Sequence, residues 1–177
     1  MLQTLGIGYP AIIVKDMNES IAFYRRLGLR ALYMEPNRDD DESIVAMLAA
    51  GDGSTFLQLV GPNGEGQDLP EGAMGTGSMQ YLTFYVSRDV MEGIFHETAS
   101  AGVQSSEMID RGYEKLVFIE DPQGILVVLI AWATDPPPDI PRPAILAKAA
   151  QIRDAAGDLY VEDAHVQQAI AELQAAR

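Results

Sequence analysis

Tyr9-Pro10-Ala11-Ile12-Ile13-Val14-Lys15-Asp16 runs directly into Met17-Asn18-Glu19-Ser20-Ile21-Ala22-Phe23-Tyr24-Arg25-Arg26-Leu27-Gly28. The first eight residues are short, apolar and β-branched, which reads as a strand. In the second stretch Asn18 or Ser20 offers a helix cap, and Ile21, Tyr24 and Leu27 recur at helical spacing. Gly28 suits the stop. Seventy-two positions later the pattern returns. Tyr81-Leu82-Thr83-Phe84-Tyr85-Val86-Ser87 reads as a strand, Val90 to Ala101 as a helix and Gly102-Val103 as its end. Tyr9 matches Tyr81, Val14 matches Val86 and Phe23 matches Phe95.

Three strand candidates follow each helix. They are Leu29 to Met34, Ser43 to Ala49 and Thr55 to Val60 in the first half. In the second half they are Ser105 to Ile109, Lys115 to Ile119 and Ile125 to Ala131. The turns Gly51-Asp52-Gly53-Ser54 and Asp121-Pro122-Gln123-Gly124 precede the two last strands. The chain therefore predicts an α+β protein of two βαβββ modules, about 5–62 and 79–132. Neither module buries both faces of its sheet alone, so the two pair, within one chain or between two. Asn63 to Ser78, rich in glycine, is a long connection. Pro136-Pro137-Pro138, Pro141 and Pro143 stiffen a linker over 133–143. A helical tail over 144–177 then carries Ile145, Ala149 and Ile152 on one helix and Val166, Ile170 and Leu173 on another. Such narrow stripes suit a structural cover, a dimer strap or a lid over a pocket.

Composition bounds the function. The 177 residues hold 12 Lys plus Arg against 26 Asp plus Glu, a formal net charge of −14. Binding to duplex nucleic acid rests on cancelling phosphate charge, so a chain this acidic argues against it, and against anionic membranes. No cysteine is present, which excludes disulfides, thiolate metal sites and cysteine nucleophiles. The N-terminal residues show no basic region before an apolar run, and the longest apolar run falls well short of the roughly 20 residues of a spanning helix. The expectation is a cytoplasmic protein.

The pattern resembles the vicinal oxygen chelate superfamily, which includes glyoxalase I, extradiol dioxygenases, fosfomycin-inactivating transferases and bleomycin-binding resistance proteins. The resemblance rests on Ile12-x-Val14-x-Asp16-(x)3-Ser20-Ile21-x-Phe23-Tyr24 with Leu27-Gly28-Leu29. In the second half it rests on Phe84-x-Val86, Ala101-Gly102-Val103 and Phe118-x-Glu120-Asp121-Pro122-x-Gly124. It covers roughly residues 5–132 and implies two curled half-barrel sheets enclosing a cavity. In metal-using members the cavity holds one divalent ion on two first-strand and two last-strand side chains. Here those positions hold Tyr9, Gln58, Tyr81 and Val128. Only Gln58 is an ordinary neutral ligand, and valine coordinates nothing. His96 and His165 are placed elsewhere. The resemblance thus implies no family-type metal, and no other cofactor is expected.

Strand alternation places Ala11 and Ile13 beside Tyr9, Phe56 and Val60 beside Gln58, and Thr83 and Tyr85 beside Tyr81. Leu126 and Ile130 accompany Val128. The cavity expected is apolar and tyrosine-edged, suited to a planar or aromatic small molecule. Tyr9 and Tyr81 either meet a ligand or fill the space left by a metal. Glu35, Asp110, Arg111 and Glu114 sit near strand ends, either at the cavity mouth or as solvated charges. The reading favoured is a homodimeric, metal-independent binding protein. The alternatives are a metal-free isomerase, cyclase or lyase on an aromatic or polyketide-like substrate, with Tyr9 or Tyr81 as catalytic proton donor, and a metal-dependent glyoxalase or dioxygenase.

Overall fold

The structure is a computed structural model and describes residues 7–51, 53–64, 69, 75–76 and 78–176. Much of the glycine-rich connection expected over Asn63 to Ser78 lies outside the described residues. The chain divides into two compact units, 1–79 with 121–125, and 80–120 with 126–177.

The first unit holds β1 (Ala11–Ile13), α1 (Met17–Arg26), β2 (Arg30–Pro36), β3 (Ser43–Ala49) and β4 (Phe56–Pro62). Its four-stranded open sheet runs β1-β4-β3-β2. The β1–β4 pair is parallel and the others antiparallel. A parallel pair needs a crossover, and α1 with β2 and β3 supplies it. The Asp16 side chain caps α1 by accepting from the Glu19 N–H at 2.9 Å. Arg25 and Arg26 lie in its last turn, where cations suit the helix dipole. Gly28, at φ 86°, closes the helix in the left-handed region. Met17, Ser20, Phe23 and Tyr24 are buried. Ile12, Val14 and Leu48 are buried as well, and Leu57 and Leu59 are buried in alternation along β4. The turn Asp121–Ile125 belongs to this unit. Asp121 Oδ1 accepts from the N–H groups of Gln123 and Ile125, and Gln123 Oε1 accepts from the Lys15 N–H.

The second unit repeats the plan with β5 (Leu82–Tyr85), β6 (Ile109–Asp110), β7 (Glu114–Glu120) and β8 (Leu126–Trp132), ordered β5-β8-β7-β6. The helix expected over Val90 to Ala101 is two short ones, α2 (Arg88–Glu92) and α3 (Ile94–Ser100), divided at Gly93. Ser87 caps α2 through the Val90 N–H. The strand expected over Ser105 to Ile109 shrinks to the two residues of β6, with an isolated bridge from Ser105 to Ile119. Serine and glutamate there supply little of the β-branched surface a strand packs with.

The tail forms α4 (Arg142–Ala156) and α5 (Asp163–Ala175). Gly157, at φ 78°, ends α4. Glu162 and His165 cap α5 reciprocally, and His165 Nε2 sits 3.0 Å from Asp158 Oδ2. Ile145, Ala149, Val166, Ala169 and Ile170 form one buried cluster with Leu116, Val128, Ile130 and Trp132. The tail hairpin is thus packed onto one face of the second sheet. Among the described residues, no helix is long and apolar enough to cross a membrane.

Candidate functional site

The two sheet faces that the repeat makes equivalent have different surroundings. In the first unit, strand register sets Ala11 beside Gln58, Gln58 beside Met47, and Met47 beside Tyr33. Tyr9 precedes β1 and is 48% exposed, while Ile13 is 68% and Phe56 37% exposed. Ala11 is also exposed, and Gln58 and Val60 are half-buried. This face is apolar, edged by a phenol and an amide, and open.

In the second unit, register sets Thr83 beside Val128 and Tyr85 beside Ile130. Leu116 and Phe118 continue the same rows across β7. Tyr81 and Tyr85 keep 36% and 51% exposure, but Val128 keeps 2%. The cluster formed with α4 and α5 accounts for that difference. Val128, expected on a cavity wall, is instead a core residue beneath the tail, and Ile130 with it. The sequence carried a signal of this. β8 is apolar at every position from Leu126 to Trp132, and a strand apolar on both faces is covered on both.

Of the four positions that the resemblance implies for metal ligands, one has no donor atom. Val128 offers no lone pair and lies under α4 and α5. Among the described residues, no group of three or more His, Cys, Asp or Glu is placed to hold a metal. His96 is exposed on α3, and His165 is engaged in the α5 cap.

Of the charged candidates at strand ends, Glu35, Asp110 and Arg111 are exposed. Glu114 is not a solvated charge: it is 9% exposed, at the start of β7, opposite Trp132 in register. Burial raises its carboxyl above the usual range, against the lowering effect of the Arg111 guanidinium and a hydrogen bond with the Tyr113 hydroxyl. Arg111 Nη1 stands 4.0 Å from Glu114 Oε1. Burial, then the Glu114 charge, pushes the Tyr113 phenol up to about 12.

The sequence candidate Tyr85 gathers around Trp132 with Tyr113 and Arg142, which sequence reasoning passed over. The Tyr113 and Tyr85 rings meet it edge-on at 5.7 and 6.4 Å between centroids. The Arg142 guanidinium carbon lies 4.3 Å from the Tyr85 centroid. A separate open groove of about 530 Å³ runs between α1 and β2, lined by residues such as Asn18, Ile21, Arg25, Leu32 and Met34.

Comparison with known proteins agrees with the topology. The chain is 28% identical over 112 residues to the Bacillus subtilis (strain 168) protein named "Putative ring-cleaving dioxygenase MhqA", matching 63% of this chain and 33% of that one. The chain therefore spans about a third of that relative's length. A crystal structure of a glyoxylase/bleomycin resistance protein/dioxygenase domain from Frankia sp. EAN1pec superposes with a TM-score of 0.60 at 17% identity. It covers 73% of this chain and 93% of that one. A mutant of the Listeria monocytogenes fosfomycin resistance protein FosX, complexed with Mn(II) and 1S,2S-dihydroxypropylphosphonic acid, gives 0.55 at 17% identity. Coverage there is 75% of this chain and 95% of that one. Residues 6–129 match the family described as the Glyoxalase/Bleomycin resistance protein/Dioxygenase superfamily, and the chain belongs to it.

Proposed function

We propose that this chain is a metal-independent small-molecule-binding protein. Its ligand lies against the open, tyrosine-edged face of the first sheet, among Tyr9, Ala11, Ile13, Phe56 and Gln58. Tyr81, Thr83 and Tyr85 are the equivalent polar positions of the second sheet. The observation that carries the reading is the donor set Tyr9, Gln58, Tyr81 and Val128, with Val128 enclosed by the tail. An apolar surface with a few polar atoms is how small-molecule sites combine burial with orientation. The similarity to a protein named as a ring-cleaving dioxygenase favours an aromatic ligand. The reading carries with it a cytoplasmic homodimer. The cysteine-free sequence supports the first, and the exposed Leu32, Tyr33 and Met34 of β2 support the second.

The test is elemental analysis of protein purified without chelator or affinity tag, followed by thermal melts with added Mn(II), Fe(II), Zn(II) and Ni(II). The expected outcome is no stoichiometric metal and no rise in Tm. One tightly held ion per chain overturns the reading in favour of metal-dependent lyase or dioxygenase chemistry.

A further inference from the structure

Three aromatic rings and one cation meet where the tail joins the second sheet. Trp132 is 3% exposed and flanked edge-on by Tyr85 and Tyr113. Arg142, the first residue of α4, stacks over Tyr85 and stands 5.8 Å from the Trp132 ring centroid. Arg142 is exposed, and no carboxylate among the described residues forms an ion pair with it. Its guanidinium is placed against the Tyr85 and Trp132 rings. The buried Glu114 carboxylate adjoins Tyr113 and lies opposite Trp132. Among the described residues, Trp132 Nε1 is buried without a hydrogen-bond partner. Clustered aromatic faces with a nearby carboxylate form the arrangement that takes up guanidinium and quaternary ammonium groups.

We propose that Tyr85, Tyr113 and Trp132 form a binding cage for small organic cations, which Arg142 occupies as a built-in ligand that an external cation displaces. The inference rests on the reading of this chain as a small-molecule binder and gives the second unit its own ligand class. A net charge of −14 draws cations toward the surface. Displacing Arg142 need not release the tail. Ile145, Ala149 and Val166 are fully buried in the core beneath it, and Arg88 pairs with Asp135 at 2.9 Å where the linker leaves the sheet.

Trp132 is the sole tryptophan, so its fluorescence reports on the cage directly. Full-length wild type, Arg142→Ala and Arg142→Gln are titrated with tetramethylammonium chloride against sodium chloride of equal ionic strength, and hydrogen exchange follows α4 and α5. The expected result is a saturable change specific to tetramethylammonium in the Arg142 variants. Wild type should need roughly 2- to 30-fold more, the range of one cation–π contact. Tyr85→Leu in the Arg142→Ala background should abolish the response. A response no different from sodium chloride in a variant whose α4 and α5 stay protected overturns the proposal. So does loss of that protection in both variants, since Arg142 would then be a structural pin. Either failure leaves the first-sheet reading standing, because Tyr9, Phe56 and Gln58 are not part of the cage.

Discussion

The Tyr24 hydroxyl donates to Asp121 Oδ2 at 2.9 Å, joining residues 97 positions apart inside the first unit. Tyr24 is fully buried and Asp121 is 4% exposed. Asp121 Oδ1 already shapes its own turn by accepting from two backbone N–H groups. One carboxylate therefore organises the turn and anchors it to α1. Removing the phenol leaves a buried acceptor unpaired, so Tyr24→Phe should cost about 1–3 kcal/mol in urea unfolding. Burial, then the Asp121 charge, raises the Tyr24 pKa far above its ordinary 10. The folded protein thus holds this proton after the unfolded chain has lost it. Stability should fall as pH rises past about 10, and more shallowly in Tyr24→Phe.

Gly112 answers to two constraints. Its φ of 77° suits glycine, and a Cβ there would overlap the Glu162 carboxylate. Gly112→Ala should destabilise by about 1–3 kcal/mol. If contact with Glu162 is the larger part, the double variant Gly112→Ala/Glu162→Ala should recover more than half of that loss. A double-mutant cycle by thermal or urea melts checks it, and additive losses would leave backbone strain as the cause.

Glu114 should cost stability at neutral pH. Its folded pKa is raised by burial, so the folded state binds the proton more tightly than the unfolded chain. The stability this contributes is present below the ordinary carboxylate pKa and is lost as pH rises through the folded value. Glu114→Gln should therefore be the more stable protein at pH 7, with the gap closing below about pH 4. Unfolding midpoints across the acid-to-neutral range read it out. A gap independent of pH would assign the effect to packing.

The module plan was legible because it is local. Helical spacing at Ile21, Tyr24 and Leu27, period-two strands and the Asp121-Pro122-Gln123-Gly124 turn are each written in a few adjacent residues, although the cap expected at Asn18 or Ser20 is supplied by Asp16. The match of Tyr9 to Tyr81 at a fixed offset then gave the repeat. The candidate site was only half legible. Alternation correctly put Val128 and Ile130 on one face of β8, yet it says nothing of what covers that face. The cover comes from Ile145 to Ile170, beyond a proline-rich linker, and long-range packing of this kind leaves no short-range pattern. Arg142 was invisible for the same reason: a cation–π partner needs proximity in space, with no fixed spacing in sequence.

Val128 brings the metal question and the tail question to one residue. A carboxylate there supplies the oxygen donors that valine lacks, but the side chain enters a core shared with Leu116, Ile130, Ile145 and Val166. Val128→Glu buries a charge with no cationic partner in that cluster, and the cost should be several kcal/mol or a carboxyl held neutral. Val128→Ala removes only two methyl groups and should cost about 1–3 kcal/mol. The expected order in urea unfolding at pH 7 is therefore wild type, then Val128→Ala, then Val128→Glu, with the Val128→Glu deficit shrinking toward pH 4. Added Mn(II) should not rescue Val128→Glu, since the apolar tail supplies no further ligands. Rescue by metal, with α4 and α5 losing exchange protection, would show that the tail yields this face to an ion, and the second unit would have to be read as a closed metal site.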